Sequence, residues 1–378
     1  MTKIWHSISG NHSRGTMKHI SELHNILEQY FNWNKSRLNV LVNLLICLFT
    51  TRTVNLSEHA VGLCSKAKIE SNYKRLQRFF RWIISSIDCK NATLNLVINV
   101  LNLKNRKNDL ALDRTDWKFG RKHINILVLD VNFKRVCIPL VWISLGKADN
   151  AKTPERIELL EKIIREIPIN SFTADREFIG EKWFKYLIST KISFFIRIKE
   201  NTQVLKKRGN YTVRLKDLFK NLERNKRKFL KERYVILGVE VGLAASRNYK
   251  GELLIVITNK CSRLALKMYK KRWAIETLFC YLKTKGFCFE DTHMIDMKKV
   301  EAWMLILTLA VVWTLKAREL VQPQLKVGSH GRKRKSLFKC CFEAIRKCLL
   351  CPHIHIKILE EFISLFTKKP SRYCLSYV

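Results

Sequence analysis

The 378-residue chain carries 71 Lys and Arg against 32 Asp and Glu, a formal charge of +39. Because 47% of the residues are hydrophobic and 10% aromatic, this is no disordered polycation, and the length suffices for one large domain plus one or two smaller ones. Twelve cysteines in so long a chain exclude a dense disulfide scaffold. The opening stretch MTKIWHSISGNHSRG is polar, without the apolar centre of a signal peptide, so a cytoplasmic protein with reduced thiols is expected. Such an excess of cations repels itself, and a polyanion relieves the strain. Nucleic acid gains most, since each neutralised phosphate releases counterions; an anionic membrane surface ranks second. The abundance of Lys, Asn and Ile also fits an AT-rich genome, which accounts for a share of the charge.

From about residue 20 to 100 the chain reads as helices, among them the apolar SRLNVLVNLLICLFTT. In IESNYKRLQRFFRWI, Lys74, Arg75, Arg78 and Arg81 share one helical face and Leu76, Phe79, Phe80 and Ile83 the other. A basic face on a short helix suits entry into a DNA groove, and a solvated helix in a basic protein has the same pattern. After Asn108 the texture changes. DLALDRTDW, INILVLDV and RVCIPLVWISLG predict a three-strand meander. TPERIELLEKIIREI predicts a helix capped by Thr153 with Pro154 in its first turn. A strand SFTADREF, a helix GEKWFKYLISTK and a strand ISFFIRIK follow. The order βββαβαβ describes a mixed sheet flanked by helices, the α/β (mixed α+β) class.

Residues 201–260 read as a β-rich insertion, after which helices resume. The longest apolar run, Ala302 to Leu315, is short for a bilayer and predicts a buried helix, so no membrane partner is expected. The tail opens on the basic loop KVGSHGRKRKS, read as a phosphate-binding loop. Cys348-x2-Cys351 with His353 and His355 offers zinc-binding residue types. The spacing is unlike a finger, and Cys340, Cys341 and Cys348 fall in an amphipathic pattern that predicts buried thiols.

The stretch YKKRWAIETLFCYLK, residues 269–283, predicts one helix. At 100° per residue Tyr269, Arg272, Glu276 and Lys283 fall within a sector of about 60°, opposite Ile275, Leu278 and Leu282. A solvated face with an i, i+4 ion pair gives the same stripe. Asp113 and Asp175, however, each lie in or at the end of an apolar strand, where an unpaired carboxylate is costly. If the helix docks on the sheet, Asp113, Asp175 and Glu276 converge. Their mutual repulsion raises their pKa values, and hard divalent cations remove the conflict. Two such ions suit phosphodiester chemistry, with Arg272 and Lys283 binding phosphate beside them. Asp116 and Asp130 are rival choices for the first ligand.

Tyr269, Arg272, Glu276 and Lys283 match Y-x2-R-x3-E-x6-K, and here the sequence resembles the bacterial DDE transposases of the insertion-sequence-four group. LDRTDW looks like that family's first-aspartate motif and TADREF like its second, with intervals of 62 and 101 residues to the next acidic member. The resemblance implies a ribonuclease-H-like catalytic core and cut-and-paste transposition with Mg2+, Mn2+ substituting. Asp113, Asp175 and Glu276 would be the metal ligands; Tyr269, Arg272 and Lys283 would grip the transposon end. Double-stranded DNA, as transposon ends and target, is the implied partner, and a synaptic homodimer in a bacterial cytoplasm the implied setting. The expected layout is a helical DNA-binding region at 1–105, core at 106–200, insertion at 201–260, core at 261–320 and a basic helical region at 321–378. Members that form hairpins use an insertion aromatic, typically Trp. Residues 200–260 hold no Trp, leaving Tyr211, Phe219, Phe229, Tyr234 and Tyr249. A nuclease of the same fold without strand transfer, or a non-catalytic DNA-binding relic, are the alternatives.

Overall fold

The structure, a computed structural model, describes residues 21–63, 65–86, 88–146, 150–206, 210–321 and 335–367. The chain divides into two compact units, Met1–Asn102 with Cys280–Val378, and Leu103–Phe279. The basic run at 331–334 lies outside the described residues.

The first unit is helical. Helix α1 (described at 21–28) precedes α2 (Lys35–Thr51), α3 (Leu56–Gly62), α4 (Ile69–Ser85) and α5 (Asp88–Val100). The Asn34 side chain accepts from Arg37 N–H at 2.9 Å to cap α2, and Arg52 ends that helix in a left-handed conformation. Helix α4 buries Leu76, Phe79, Phe80 and Ile83. Its other face leaves Lys74, Arg78 and Arg81 exposed and Arg75 half-buried.

The second unit is built on a sheet. Strands β1 (Asn108–Phe119), β2 (Lys122–Phe133) and β3 (Val136–Ser144) form the antiparallel meander. Lys134 and Arg135 both take positive φ, as a two-residue hairpin turn requires. Helix α6 (Thr153–Ile164) follows. Its cap position is Lys152 rather than Thr153, because the Glu155 carboxylate reaches back to accept from Lys152 N–H and Thr153 already lies in the first turn. Strand β4 (Ile169–Ala174) runs parallel to β1, and β5 (Phe194–Ile198), after helix α7 (Glu181–Ser189), runs parallel to β4. The order β3-β2-β1-β4-β5 realises the βββαβαβ pattern.

The insertion does not form a sheet of its own. It comprises β6 (Gln203–Lys206), β7 (Tyr211–Arg214), α8 (Leu215–Leu218), β8 (Arg227–Phe229), β9 (Tyr234–Ile236), β10 (Val239–Arg247) and β11 (Leu253–Thr258). Strand β11 pairs antiparallel with β5, so the core sheet continues through β11 and β10. Trp183 and Phe184 of α7 pack against Phe172 and Phe194 on one side. On the other, helix α9 (Ser262–Tyr269) places Ala265 and Tyr269 among Phe195, Ala244 and Val256.

The single helix expected over 269–283 is broken. After α9 the chain makes a 3-10 turn, Lys270–Arg272, then α10 (Trp273–Cys280), then a π-helical turn, Tyr281–Lys285. Gly286 allows that last turn to close: Phe287 N–H donates to the Tyr281 carbonyl at 3.1 Å, and a Cβ at 286 would stand 2.3 Å from that oxygen.

The first unit resumes with α11 (Met297–Lys316), α12 (Leu337–Leu350) and α13 (Ile356–Ser364). Helix α11 outruns its apolar stretch, and with the turn to Glu319 it is long and apolar enough to cross a membrane. Most of it is buried inside the unit. Trp313 packs on Phe49 and donates from Nε1 to the Phe362 carbonyl at 2.6 Å. On α12 Cys341 and Cys348 are buried, as the amphipathic pattern requires, and Cys340 is half-buried.

The start of β1 is pinned by Asn108, fully buried, whose Nδ2 donates to the carbonyls of Leu103, Arg106 and Pro168 at 2.8, 2.9 and 2.9 Å. Asn108→Ala strands these acceptors and should lower unfolding stability by about 1–3 kcal/mol, measured by urea titration. A loss below about 0.5 kcal/mol, the level of an ordinary surface change, would show the clamp to be dispensable.

Candidate active site

The parallel pairing of β1 with β4 ends at Leu112 opposite Ala174. The next residues on the two strands are Asp113 and Asp175, so two carboxylates emerge at one level at the end of the paired segment. That is where open α/β sheets place their sites. Asp113 is largely buried, with 15% of its side chain exposed. Its carboxyl is pushed up to about 6: burial raises it first, the Arg272 cation and the Arg114 N–H pull it down, and Glu177 and Asp175 raise it again.

Arg272 ties the cluster together. One terminal nitrogen donates to Asp113 Oδ2 at 2.8 Å, the other to Glu276 Oε1, and Nε to the Tyr269 hydroxyl at 3.1 Å. That hydroxyl donates onward to Asp175 Oδ1 at 3.2 Å. Burial works against the Arg272 charge, but Tyr269, Asp113, Asp175 and Glu276 outweigh it and hold the cation firmly protonated. Burial pushes the Tyr269 phenol up to about 12, so it remains a donor. The chain's 3-10 turn sets Arg272 on the same side as Tyr269 despite the broken helix.

Of the expected site residues, the structure gathers Asp113, Asp175, Tyr269, Arg272 and Glu276. Lys283 belongs to the other unit, where it pairs with Glu290 at 3.0 Å, and so do the α4 cations Lys74, Arg75, Arg78 and Arg81. Asp116, three residues beyond Asp113 on β1, falls on the opposite face by strand alternation. Asp130 lies opposite Ala111, diagonal to Asp113 on the same face. It is fully buried, and neither of its oxygens has a partner among the described residues. Burial, with Asp113 beside it, drives its carboxyl well up.

Several contributors are invisible in the motif pattern. The Arg114 Nε donates to both Glu177 oxygens at 2.9 Å, joining the residue after Asp113 to the loop after Asp175. Buried Arg156 donates to the carbonyls of Ala151, Glu177 and Ile179 and fixes that loop from below. Asp109 accepts from Lys271 Nζ at 2.6 Å, Ser171 Oγ at 2.6 Å and Asn170 Nδ2 at 2.7 Å. Burial opposes its charge, but these donors prevail and hold the carboxyl below its ordinary value. Arg197 of β5 stands 3.7 Å from Asp175 Oδ1 and lines a cleft of about 390 Å³ with Asn225, Lys226 and Arg227 of the insertion. Trp273, next to Arg272, is 67% exposed. LDR and DRE place Arg114 and Glu177 beside the aspartates, a signal that was present; Arg156 and Arg197 carry none.

The donor set suits a hard divalent ion, being all carboxylate oxygen. Among the described residues no three His, Cys, Asp or Glu side chains are grouped to bind a metal, and Arg272 bonds to two of the three carboxylates.

The strand order, with acidic residues at the ends of two adjacent parallel strands and a third on a following helix, is that of a ribonuclease-H-like α/β fold. Residues 105–313 match the family model of the transposase DDE domain, and the chain belongs to that family. No curated protein sequence matches it. Among solved structures it is similar to the piggyBac transposase synaptic complex with hairpin DNA, determined by cryo-EM, at 14% identity and a TM-score of 0.38. The match covers 70% of this chain and 58% of that one, less than two thirds of its length.

Because the raised Asp113 value makes folding take up a proton, the stability it contributes is full below about pH 4 and is lost as pH rises through about 6. In EDTA, wild-type stability should therefore fall relative to Asp113→Asn across that window, by up to about 3 kcal/mol. Denaturant titrations at several pH values measure this. A difference that stays flat would place Asp113 in an ordinary solvated setting.

Proposed function

We propose that the chain is a DDE transposase of the insertion-sequence-four type, which excises a DNA segment at terminal inverted repeats and inserts it elsewhere. The observation that carries this reading is the linkage of Asp113, Asp175 and Glu276 through one guanidinium and one phenol. Asp113, Asp175 and Glu276 would hold Mg2+ or Mn2+. Bound there, such an ion supplies Lewis-acid stabilisation of a phosphodiester and a more acidic water.

The protein's own groups do the rest. Water attacks the phosphorus at the segment end and the 3′-oxygen leaves; that 3′-hydroxyl then attacks a second phosphodiester, joining the strands. Asp113 and Asp175, fixed by the sheet and by the Arg114–Glu177 fork, keep the acidic side of the crevice rigid. Tyr269, Arg272 and Lys283 are assigned to the end's phosphates, a guanidinium being the best-shaped partner for them. Exposed Trp273 offers a stacking face for a displaced base. Of the insertion aromatics, Tyr211, Phe229 and Tyr249 are exposed whereas Phe219 and Tyr234 are buried, so the exposed three are the candidates for a hairpin. The cleft of Arg197, Lys226 and Arg227 extends the cationic track, and the α4 face of Lys74, Arg75, Arg78 and Arg81 is assigned to duplex binding. A homodimer on paired ends, acting in a bacterial cytoplasm, completes the proposal.

Purified protein incubated with Mg2+ and the DNA flanking its gene should nick at the segment boundary and yield joined products. Glu276→Gln should reduce both by at least about a hundredfold, more than an outer-shell change costs a metal site, with DNA binding retained. Cutting without joining would favour the nuclease of the same fold. Binding without cutting in the wild type would contradict the enzymatic reading.

A second expectation concerns α4. Lys74→Ala and Arg78→Ala should each weaken duplex binding regardless of sequence and reduce the slope of log affinity against log salt by about 1. An unchanged slope would make the face a solvated one.

A further inference from the structure

Arg272 is the unusual member of the site. Its side chain is only 10% exposed, and its three nitrogens are all engaged: Asp113, Glu276 and the Tyr269 hydroxyl take one bond each. Two of these partners are carboxylates from the set assigned to the metal. An oxygen that accepts a charge-assisted bond from a guanidinium cannot also give its full lone-pair density to a hard cation at coordination distance. The guanidinium is what Asp113 and Glu276 share.

We propose that Arg272 is the internal counter-ion of the carboxylate site and competes with the divalent cation for it, so that metal entry and phosphate capture are two halves of one exchange. This rests on the transposase reading above and adds a regulatory step to it. With Arg272 seated, part of the carboxylate charge is offset, Arg197 standing 3.7 Å from Asp175 beside it, and the repulsion that burial would magnify is reduced. When a divalent ion takes Asp113 and Glu276, the two terminal nitrogens of Arg272 lose their acceptors. A desolvated guanidinium without partners is costly, and the DNA phosphate is the partner of matching shape. Tyr269 makes the exchange local. Its hydroxyl accepts from Nε and donates to Asp175, so one bond tethers the planar guanidinium to the site while the whole group tilts and its terminal nitrogens change partner. No covalent bond changes; one cation replaces another at two carboxylates, and the displaced one binds a phosphate.

The exchange separates from the simpler idea that Arg272 merely positions the carboxylates. A positioning residue helps the metal, and its removal weakens metal binding. A competing counter-ion hinders the metal, and its removal strengthens it. Linkage adds a second difference: DNA that draws Arg272 away must tighten metal binding by the factor by which metal tightens DNA binding.

The test is Mn2+ binding to the full chain, read by electron paramagnetic resonance of the free ion, with and without a short duplex. Arg272→Met should bind Mn2+ about tenfold tighter than wild type without DNA, a shift of about 1.4 kcal/mol. In wild type the duplex should tighten Mn2+ binding, and in Arg272→Met that enhancement should vanish. Thermal melts check folding, and Arg272→Lys serves if Met is not tolerated. Its compact charge cannot fork across both carboxylates, and it should lie between the other two. Weaker or unchanged Mn2+ binding in either variant overturns the exchange while leaving the transposase reading intact. Mn2+ binding that Asp175→Asn fails to weaken would overturn the carboxylate site itself, and with it the reading on which the exchange rests.

Discussion

Three carboxylates linked through one guanidinium and one phenol, the first of them largely buried, need cations to offset their repulsion, and this constraint organises the candidate site. Sheet pairing brings Asp113 and Asp175 to one level, and the docking of the following helix adds Glu276. Desolvation then makes the assembled charge expensive, as the raised Asp113 carboxyl shows. Arg272 supplies part of the compensation from the 3-10 turn that precedes the helix carrying Glu276. Tyr269 relays it to Asp175. The supporting contacts serve the same end. Asp109 and Lys271 fasten the turn carrying Arg272 to β1 and β4, and the Asn132 side chain donates to the Lys271 carbonyl at 3.0 Å. Arg114 and Arg156 hold the loop after Asp175. The groups of the candidate site are thus placed by rigid elements and a connected set of ionic bonds, the kind of preorganised arrangement that electrostatic catalysis would use.

Asp130 extends the same logic. A fourth carboxyl, fully buried and diagonal to Asp113, would add a further negative charge to the crevice if it ionised. Burial, with Asp113 beside it, pushes its carboxyl well up and so disfavours that charge. Arg272, bonded to Asp113 and Glu276, and Arg197, 3.7 Å from Asp175, are the cations that face the other three carboxylates.

Much of this was legible in the residues. The βββαβαβ order followed from apolar runs and their breaks, because each strand of the core is long and strongly patterned. Asp113 and Asp175 were conspicuous as charges in or at the end of apolar strands, and the helical repeat placed Tyr269, Arg272 and Glu276 together. The break of the helix was not legible. Nothing in Lys270-Lys271-Arg272 disfavours continued α-helix, so the 3-10 turn reflects tertiary bonds of Lys271 to Asp109 and of Asn132 to the backbone. The π-helical turn rests on Gly286 approaching the Tyr281 carbonyl, a contact no spacing rule encodes. The continuity of β11 with β5 was likewise hidden, since the alternation of a strand does not name its partner. Arg156 and Arg197 owe their roles wholly to neighbours distant in sequence.

The most direct measurement is anomalous diffraction from crystals of the full chain soaked in Mn2+ with a duplex bound. The expected result is an anomalous peak bounded by Asp113, Asp175 and Glu276, with the Arg272 guanidinium off the Asp113 and Glu276 carboxylates and on a phosphate. A peak away from these carboxylates, or Arg272 still bonded to Asp113 and Glu276 beside a bound ion, would contradict it.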